Sequence, residues 1–317
     1  MTLKQMEAFY WACTLGSFEI AAERLHVTQS SLSKRIAELE AALGKPLFDR
    51  SGKRAVMTAA GELLLEHARR MLELQETIRL EFASDRDQLG GTTRFGISEL
   101  SASTWFPKFV QRLYAEHPRL SLEPQVGVGR ALELRVTRGE LDFAVIAGPA
   151  VHEAVASQPI ASVDYSWMAS PSLFRRGTVL TAEQIGSHVV ISGQIDSGAT
   201  HVFNDWIALH GVKLRRVLAC NSSTTITGLT VAGVGISYLP LHHVRPLVDR
   251  DLLVPLSSDP PAPTQMQFSF IWRRDDRRPL IQLLKRMVLE EVDFSIPNKL
   301  WTALPADQAG GLRQSVR

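Results

Sequence analysis

The chain has 317 residues, 45% of them apolar and 21% charged. That length provides for two or three globular units with cores of their own, and the composition excludes a disordered chain, a collagen-like fibre and a coiled-coil rod. Thirty-five Lys and Arg against 33 Asp and Glu leave a formal charge of +2, too small to mark a nucleic-acid binder by itself. The two cysteines, Cys13 and Cys220, exclude a disulfide scaffold and a cysteine-based zinc site. Met1–Glu7 has helix-type spacing and no apolar run of a signal peptide. The longest uncharged stretch, about 217–244, is broken by Asn, Ser, Thr, Gly and Pro. A cytoplasmic protein without membrane contact is expected.

Leu3, Met6, Phe9 and Cys13 recur at helical steps and predict a first helix ending before Gly16. Ser17 suits the N-cap of a second helix with Phe18, Ala21, Ala22 and Leu25 inward. Thr28 caps a third, whose inner stripe is Leu32, Ile36, Leu39 and Leu43. A short helix, a tight turn and a helix with a small polar start form a helix-turn-helix outline, whose last helix enters a major groove. Its candidate DNA contacts are Thr28, Gln29, Ser30, Ser33, Lys34 and Arg35; Gln29 suits a bidentate pair with adenine. From Arg24 to Arg54 seven basic residues face three acidic ones. Residues 44–58 predict a β-hairpin wing with Ser51-Gly52 at its tip, placing Arg50, Lys53, Arg54 and Thr58 near phosphates.

Thr58 also caps a long helix expected to reach about Asp85. Leu64, Ala68, Met71, Gln75, Ile78 and Phe82 keep a 3.5-residue period, the mark of a pairing seam. Leu64, Met71 and Ile78 are therefore the candidate dimerisation residues; the alternative is packing on the chain's own N-terminal unit. Beyond Gly90-Gly91, short apolar strands alternate with helical stretches, which predicts an α/β unit with a largely parallel sheet. A late return at 266–291 divides it into two lobes joined by crossing segments near 158–169 and 263–268. The expected domains are 1–58, 59–90, 91–297 and a solvated tail at 298–317.

Gly16-Ser17-Phe18, Ala21–Ser30, Leu32–Ile36, Leu43-Gly44, Pro46–Arg50 and Thr58–Gly61 strongly resemble the LysR-type transcriptional regulators. Ser30 is a departure, standing where many members carry proline. Leu132…Gly139–Val145, Ser197-Gly198 and Val231–Pro240 resemble the effector domain of the same family. The resemblance implies an α/β protein with an N-terminal all-α winged helix-turn-helix, a long linker helix and a two-lobed type 2 periplasmic-binding-protein-like effector domain. It implies a homodimer or homotetramer on promoter DNA, a small-molecule effector, and RNA polymerase as a further partner. Ser98 matches a ligand-contacting position of the family, and Gly129 stands where many members have Ser or Thr.

In open α/β sheets ligands sit at the carboxyl ends of strands, and helix starts there cradle anions. Residues 98–103, Gly129-Arg130 and 197–200 should meet in such a crevice. A small carboxylate held by Ser98, Ser101, Gly129, Arg130, Ser197 and Thr200 is the expected effector; Glu99 opposes it unless paired with Arg130 or turned outward. No cofactor, metal or catalysis is expected. A Gly-x-Ser-x-Gly elbow, a Walker loop and a His-Glu-x-x-His motif are all missing from the sequence. His242-His243 reads as a surface turn and Arg273–Arg278 as a solvated loop. The competing class is a solute-binding or catalytic α/β domain with an attached helical module.

Overall fold

The computed structural model describes residues 1–51, 55–81, 91–298 and 301. Lys53, Arg54, Phe82 and most of the expected tail lie outside the described residues.

Helix α1 (Leu3–Leu15) begins in a capping box between Thr2 and Gln5 and ends at Gly16, whose φ of 60° is left-handed. Ser17 caps α2 (Phe18–Arg24) and Thr28 caps α3 (Gln29–Leu43), each accepting a backbone N–H three residues on. Strands β1 (Phe48–Asp49) and β2 (Val56–Met57) pair antiparallel as the wing. Helix α4 (Ala59–Glu81) follows. Met6, Phe9, Leu32, Ile36 and Leu39 form the core of this unit, and the buried pair Ala21 and Ala22 lets the helices approach closely. Ala68 of α4 is buried in the same core, with Leu64 and Met71 packed on it. Two of the three expected pairing residues are thus engaged by the chain's own winged unit. Ile78, further along the same seam, is 46% exposed, and Leu63 and Leu74 beside the seam are exposed too.

The first lobe holds β3 (Gly91–Ile97), α5 (Glu99–Ser103), α6 (Phe106–Glu116), β4 (Leu120–Val126), α7 (Gly129–Thr137) and β5 (Phe143–Ala147). Long strand β6 (Val155–Ala169) crosses to the second lobe. There lie β7 (Val179–Thr181), α8 (Ala182–Ser187), β8 (Val189–Gly193), α9 (Gly198–His210) and β9 (Arg216–Cys220). They continue into α10 (Ser223–Val231), β10 (Ser237–Pro240), α11 (Leu241–Val248) and β11 (Val254–Asp259). Strand β12 (Gln265–Arg273) returns, and α12 (Pro279–Glu291) packs on the first lobe. The sheet runs β4-β3-β5-β12-β6-β11-β7, with β10 on β6, while β8 and β9 pair separately. Strands β3, β4 and β5 are parallel, but β12 is antiparallel to both β5 and β6. The sheet is mixed rather than largely parallel, because the strand that returns from the second lobe runs the opposite way. Pro107 opens α6, and the separate short helix α5 precedes it. The short elements β7, α8, α11 and β11 carry too little periodicity to predict.

The winged unit and the first lobe meet at a buried charge. Arg24, ending α2, donates to Oδ1 of Asp142 at 2.6 Å, and Arg278 donates to the same oxygen at 2.8 Å. The backbone N–H of Arg94 donates to Oδ2 at 2.8 Å, and the Arg24 guanidinium lies 3.9 Å from the Trp11 ring centroid. The run 273–278 is therefore not a solvated loop. Arg278 pairs with Asp142 and Asp276, Arg273 pairs with Asp275, and the Asp275 carbonyl accepts from Arg69 of α4. Nor does solvated chain begin at 298: Asn298 and Trp301 are buried, and Trp301 stands edge-on to the His243 ring at 4.7 Å. A large apolar ring gains more by packing than a Gly- and Gln-rich composition suggests.

Burial alone would raise the Asp142 carboxyl, but the Arg24 and Arg278 guanidinium groups bring it down to about 2. Its contribution to stability is full above the unfolded-state value of ~3.9 and is lost as pH falls through the folded value. Asp142→Ala should cost about 3–5 kcal/mol in urea unfolding at neutral pH, since it leaves the buried Arg24 guanidinium without its carboxylate. Between pH 5 and pH 2 the variant should lose less stability than wild type; equal losses would refute this role for Asp142.

Candidate functional site

Two surfaces bear chemistry. On the first, Thr28, Gln29, Ser30 and Lys34 are exposed at the start of α3, with Ser33 and Arg35 half-buried beside them. The Thr28 hydroxyl accepts from Ser31 N–H at 3.2 Å and lies 3.0 Å from the Ser30 hydroxyl, so the cap and its neighbour brace one another. Gln29 and Lys34 have open side chains at a helix start, the geometry that presents an amide to a base edge. Arg50 sits 3.4 Å from Glu40, whose other oxygen accepts from the Leu47 and Phe48 amides at the base of the wing. The Thr58 hydroxyl is occupied within the fold, donating to the Pro46 carbonyl at 2.8 Å and accepting from Gly61 N–H at 3.1 Å.

The second surface is a crevice of about 140 Å³ between the lobes. Ser98, Gly129 and Ser197 line it, together with Ile146, Ile191 and Phe268. Ser197 is the N-cap of α9 but makes no side-chain cap bond, which leaves the first-turn amides of that helix uncapped by it. The lobes touch closely here. A Cβ on Gly198 would lie 2.2 Å from the Ala147 carbonyl oxygen, so only glycine fits, and Arg130 N–H donates across to the Asp196 carbonyl at 3.3 Å.

Three expected effector residues are not brought to this cavity. Ser101 is fully buried behind Ser98, its hydroxyl 3.0 Å from that of Ser98. Thr200 is buried beneath Gly193. The Arg130 guanidinium turns to Glu133 at 3.4 Å and lines a separate cleft with Val151 and His152. Glu99 neither pairs with Arg130 nor points outward: it reaches the start of α10 in the other lobe. His243 does not lie in a surface turn. It is 4% exposed on α11, lines the crevice, and is pushed down to about 4 by burial, so its imidazole is neutral at pH 7. Burial also pushes the Tyr238 phenol beside it up to about 12. Among the described residues no cluster of His, Cys, Asp and Glu could hold a metal, and no helix is long and apolar enough to cross a membrane.

Residues 3–62 match the family model described as a bacterial regulatory helix-turn-helix protein of the LysR family, and 86–293 match the LysR substrate binding domain. The chain belongs to the LysR family of transcriptional regulators. It is a DNA-binding regulator with an effector-binding domain. YeiE, an uncharacterized HTH-type regulator of Escherichia coli strain K12, is 28% identical over 294 residues, 92% of this chain and 97% of that one. A protein named "Probable RuBisCO transcriptional regulator" from Cyanophora paradoxa is 35% identical over 152 residues, 48% of this chain and less than half (47%) of the relative. ArgP from Mycobacterium tuberculosis shares the fold with a TM-score of 0.62 at 22% identity, covering 90% of this chain and 96% of that one. The two sequence relatives are named as transcriptional regulators.

In this LysR-type regulator, sequence reasoning missed Gln194, Asn221, Tyr238 and His243 as crevice residues. Only His243 carried a signal, its place beside His242 just after the Val231–Pro240 run. Gln29→Ala should weaken binding to the preferred site by about 1–3 kcal/mol while sparing random DNA, as quantitative footprinting would show. Arg50→Ala should weaken both alike and flatten the salt slope. On α4, Leu74→Glu with Ile78→Glu should lower the sedimentation coefficient, because these side chains, unlike Leu64 and Met71, are free of the winged core. An unchanged coefficient would refute pairing through these residues.

Proposed function

We propose that this regulator acts as a homo-oligomer whose hold on promoter DNA is set by a small carboxylate bound between the lobes. The observation that carries the reading is the cavity beside the start of α9, where Ser98 and Ser197 offer hydroxyls and the helix has no side-chain cap. Helix amides without an acceptor favour an anion, through hydrogen bonding and through the helix dipole. The seat expected at Arg130 moves to α9, because Glu133 already engages that guanidinium. A volume near that of an engineered cavity that admits benzene, about 150 Å³, suits a metabolite of few atoms. Ligand-dependent change in the first lobe has a direct route to the reading head through Asp142 and Arg24. Action in the cytoplasm and contact with RNA polymerase at the promoter complete the proposal.

The test is a mobility-shift titration of the full-length protein on its own upstream region, across a salt series and with a panel of small monocarboxylates. Affinity should fall steeply with salt, at about −0.9 in the logarithmic slope per phosphate neutralised, and exceed that for random duplex. At least one carboxylate should shift the midpoint in wild type and not in Ser98→Ala with Ser197→Ala. Equal affinity for any duplex would remove sequence-specific regulation; indifference to every carboxylate would remove the effector class.

A further inference from the structure

The crevice contains a carboxylate of its own. Glu99, the first residue of α5, extends from the first lobe to the start of α10 in the second. Its Oε2 accepts from Ser223 N–H at 2.6 Å. Its Oε1 accepts from Thr224 N–H at 3.3 Å, from the Thr224 hydroxyl at 3.0 Å and from the Ser222 hydroxyl at 3.5 Å. The partners are more than 120 residues apart in sequence, so this is a tie between lobes and not a local cap. Ser222 meanwhile caps α10 in the ordinary way, accepting from Thr225 N–H at 3.3 Å. Glu99 therefore takes the amides that the ordinary cap leaves free.

Two further features bear on what the cavity accepts. Among the described residues lining it, Glu99 is the one charged side chain, with no Lys or Arg to offset it. His243 lines the same cavity, 4% exposed, and its Nδ1 has no hydrogen-bond partner among the described residues. Burial keeps this imidazole neutral, although Glu99 pulls the other way. The compensation of the Glu99 charge thus falls on the start of α10 and its two hydroxyls.

We propose that Glu99 is a resident carboxylate that fills the anion seat at α10, ties the lobes together without effector and restricts the crevice to ligands carrying one negative charge. This rests on reading the crevice as the effector site. With α10 filled, a monocarboxylate is left the starts of α9 and α7, neither of which has a side-chain cap. A dicarboxylate reaching toward α10 brings its second charge against Glu99, in a cavity with no cation, where like charges are strongly disfavoured. Glu99 acts here as a specificity-determining residue.

The experiment uses full-length wild type, Glu99→Gln and Glu99→Ala, titrated calorimetrically with propionate and with succinate at ionic strength matched by sodium chloride. Wild type should bind propionate in preference to succinate. Both variants should bind succinate about tenfold or more tightly than wild type does. Glu99→Ala should also melt below wild type and recover with succinate. Glu99→Gln keeps an acceptor oxygen at α10, and preserves the comparison if the alanine variant does not fold. Wild type taking succinate as well as the variants do, or variants refusing it as wild type does, would overturn the proposal. If the variants alone gain succinate while propionate binds none of the three, the role of Glu99 stands and the α9 seat fails.

Discussion

The carboxylate of Asp142 is the constraint on which the arrangement of this protein depends. It lies in the first lobe, just before β5, yet one of its partners, Arg24, ends the helix that precedes the reading helix. A buried charge is tolerated only when its hydrogen-bonding capacity is met. Here two guanidinium groups and a backbone amide meet it, supplied by the winged unit, by the segment before α12 and by β3. Arg94 adds a second bond line to the turn of the helix-turn-helix, reaching the Arg24 carbonyl at 3.3 Å and the His26 ring at 3.0 Å. Removing the winged unit would take away the buried Arg24 partner of Asp142, so electrostatics helps to hold the head against the first lobe.

The same accounting explains the crevice. Four helices begin near the interlobe face, and each start presents amides that need acceptors. Ser98 caps α5, and Glu99 with Ser222 takes up the start of α10. Arg130 N–H, at the start of α7, bonds the carbonyl of Asp196 in the other lobe. Neither α7 nor α9 has a side-chain cap there. The lobes therefore meet through backbone groups and one long carboxylate, and the starts of α7 and α9 face the cavity without side-chain caps.

Leu64, Ala68 and Met71 of α4 close the core of the winged unit, while Ile78 further along the same seam, and Leu63 and Leu74 beside it, are exposed. A seam and an inner stripe are both read as apolar residues at steps of three and four. Periodicity cannot say which faces inward, because the answer depends on where α1 lies.

Much of this protein was legible in its sequence. Caps, glycine stops and helical spacing located α1, α2 and α3, because those signals act within a few residues of chain. Alternating strands and helices marked two lobes with a late return. Polar residues at the head of α3 were placed correctly for the same local reason. What the tertiary structure decided were pairings between distant residues. Arg24 with Asp142, Arg278 with Asp142, and Glu99 with Ser223 each join chemistry from separate elements. Arg130 and Arg278 look equally solvated in sequence, yet one stays half-exposed beside Glu133 and the other completes a buried cluster. A charged side chain has no local preference strong enough to reveal its partner. The sequence by itself determined the helices of the winged unit, their ends and the order of the lobes, whereas only the packed fold decided which charge meets which and which helix starts remain uncapped at the crevice.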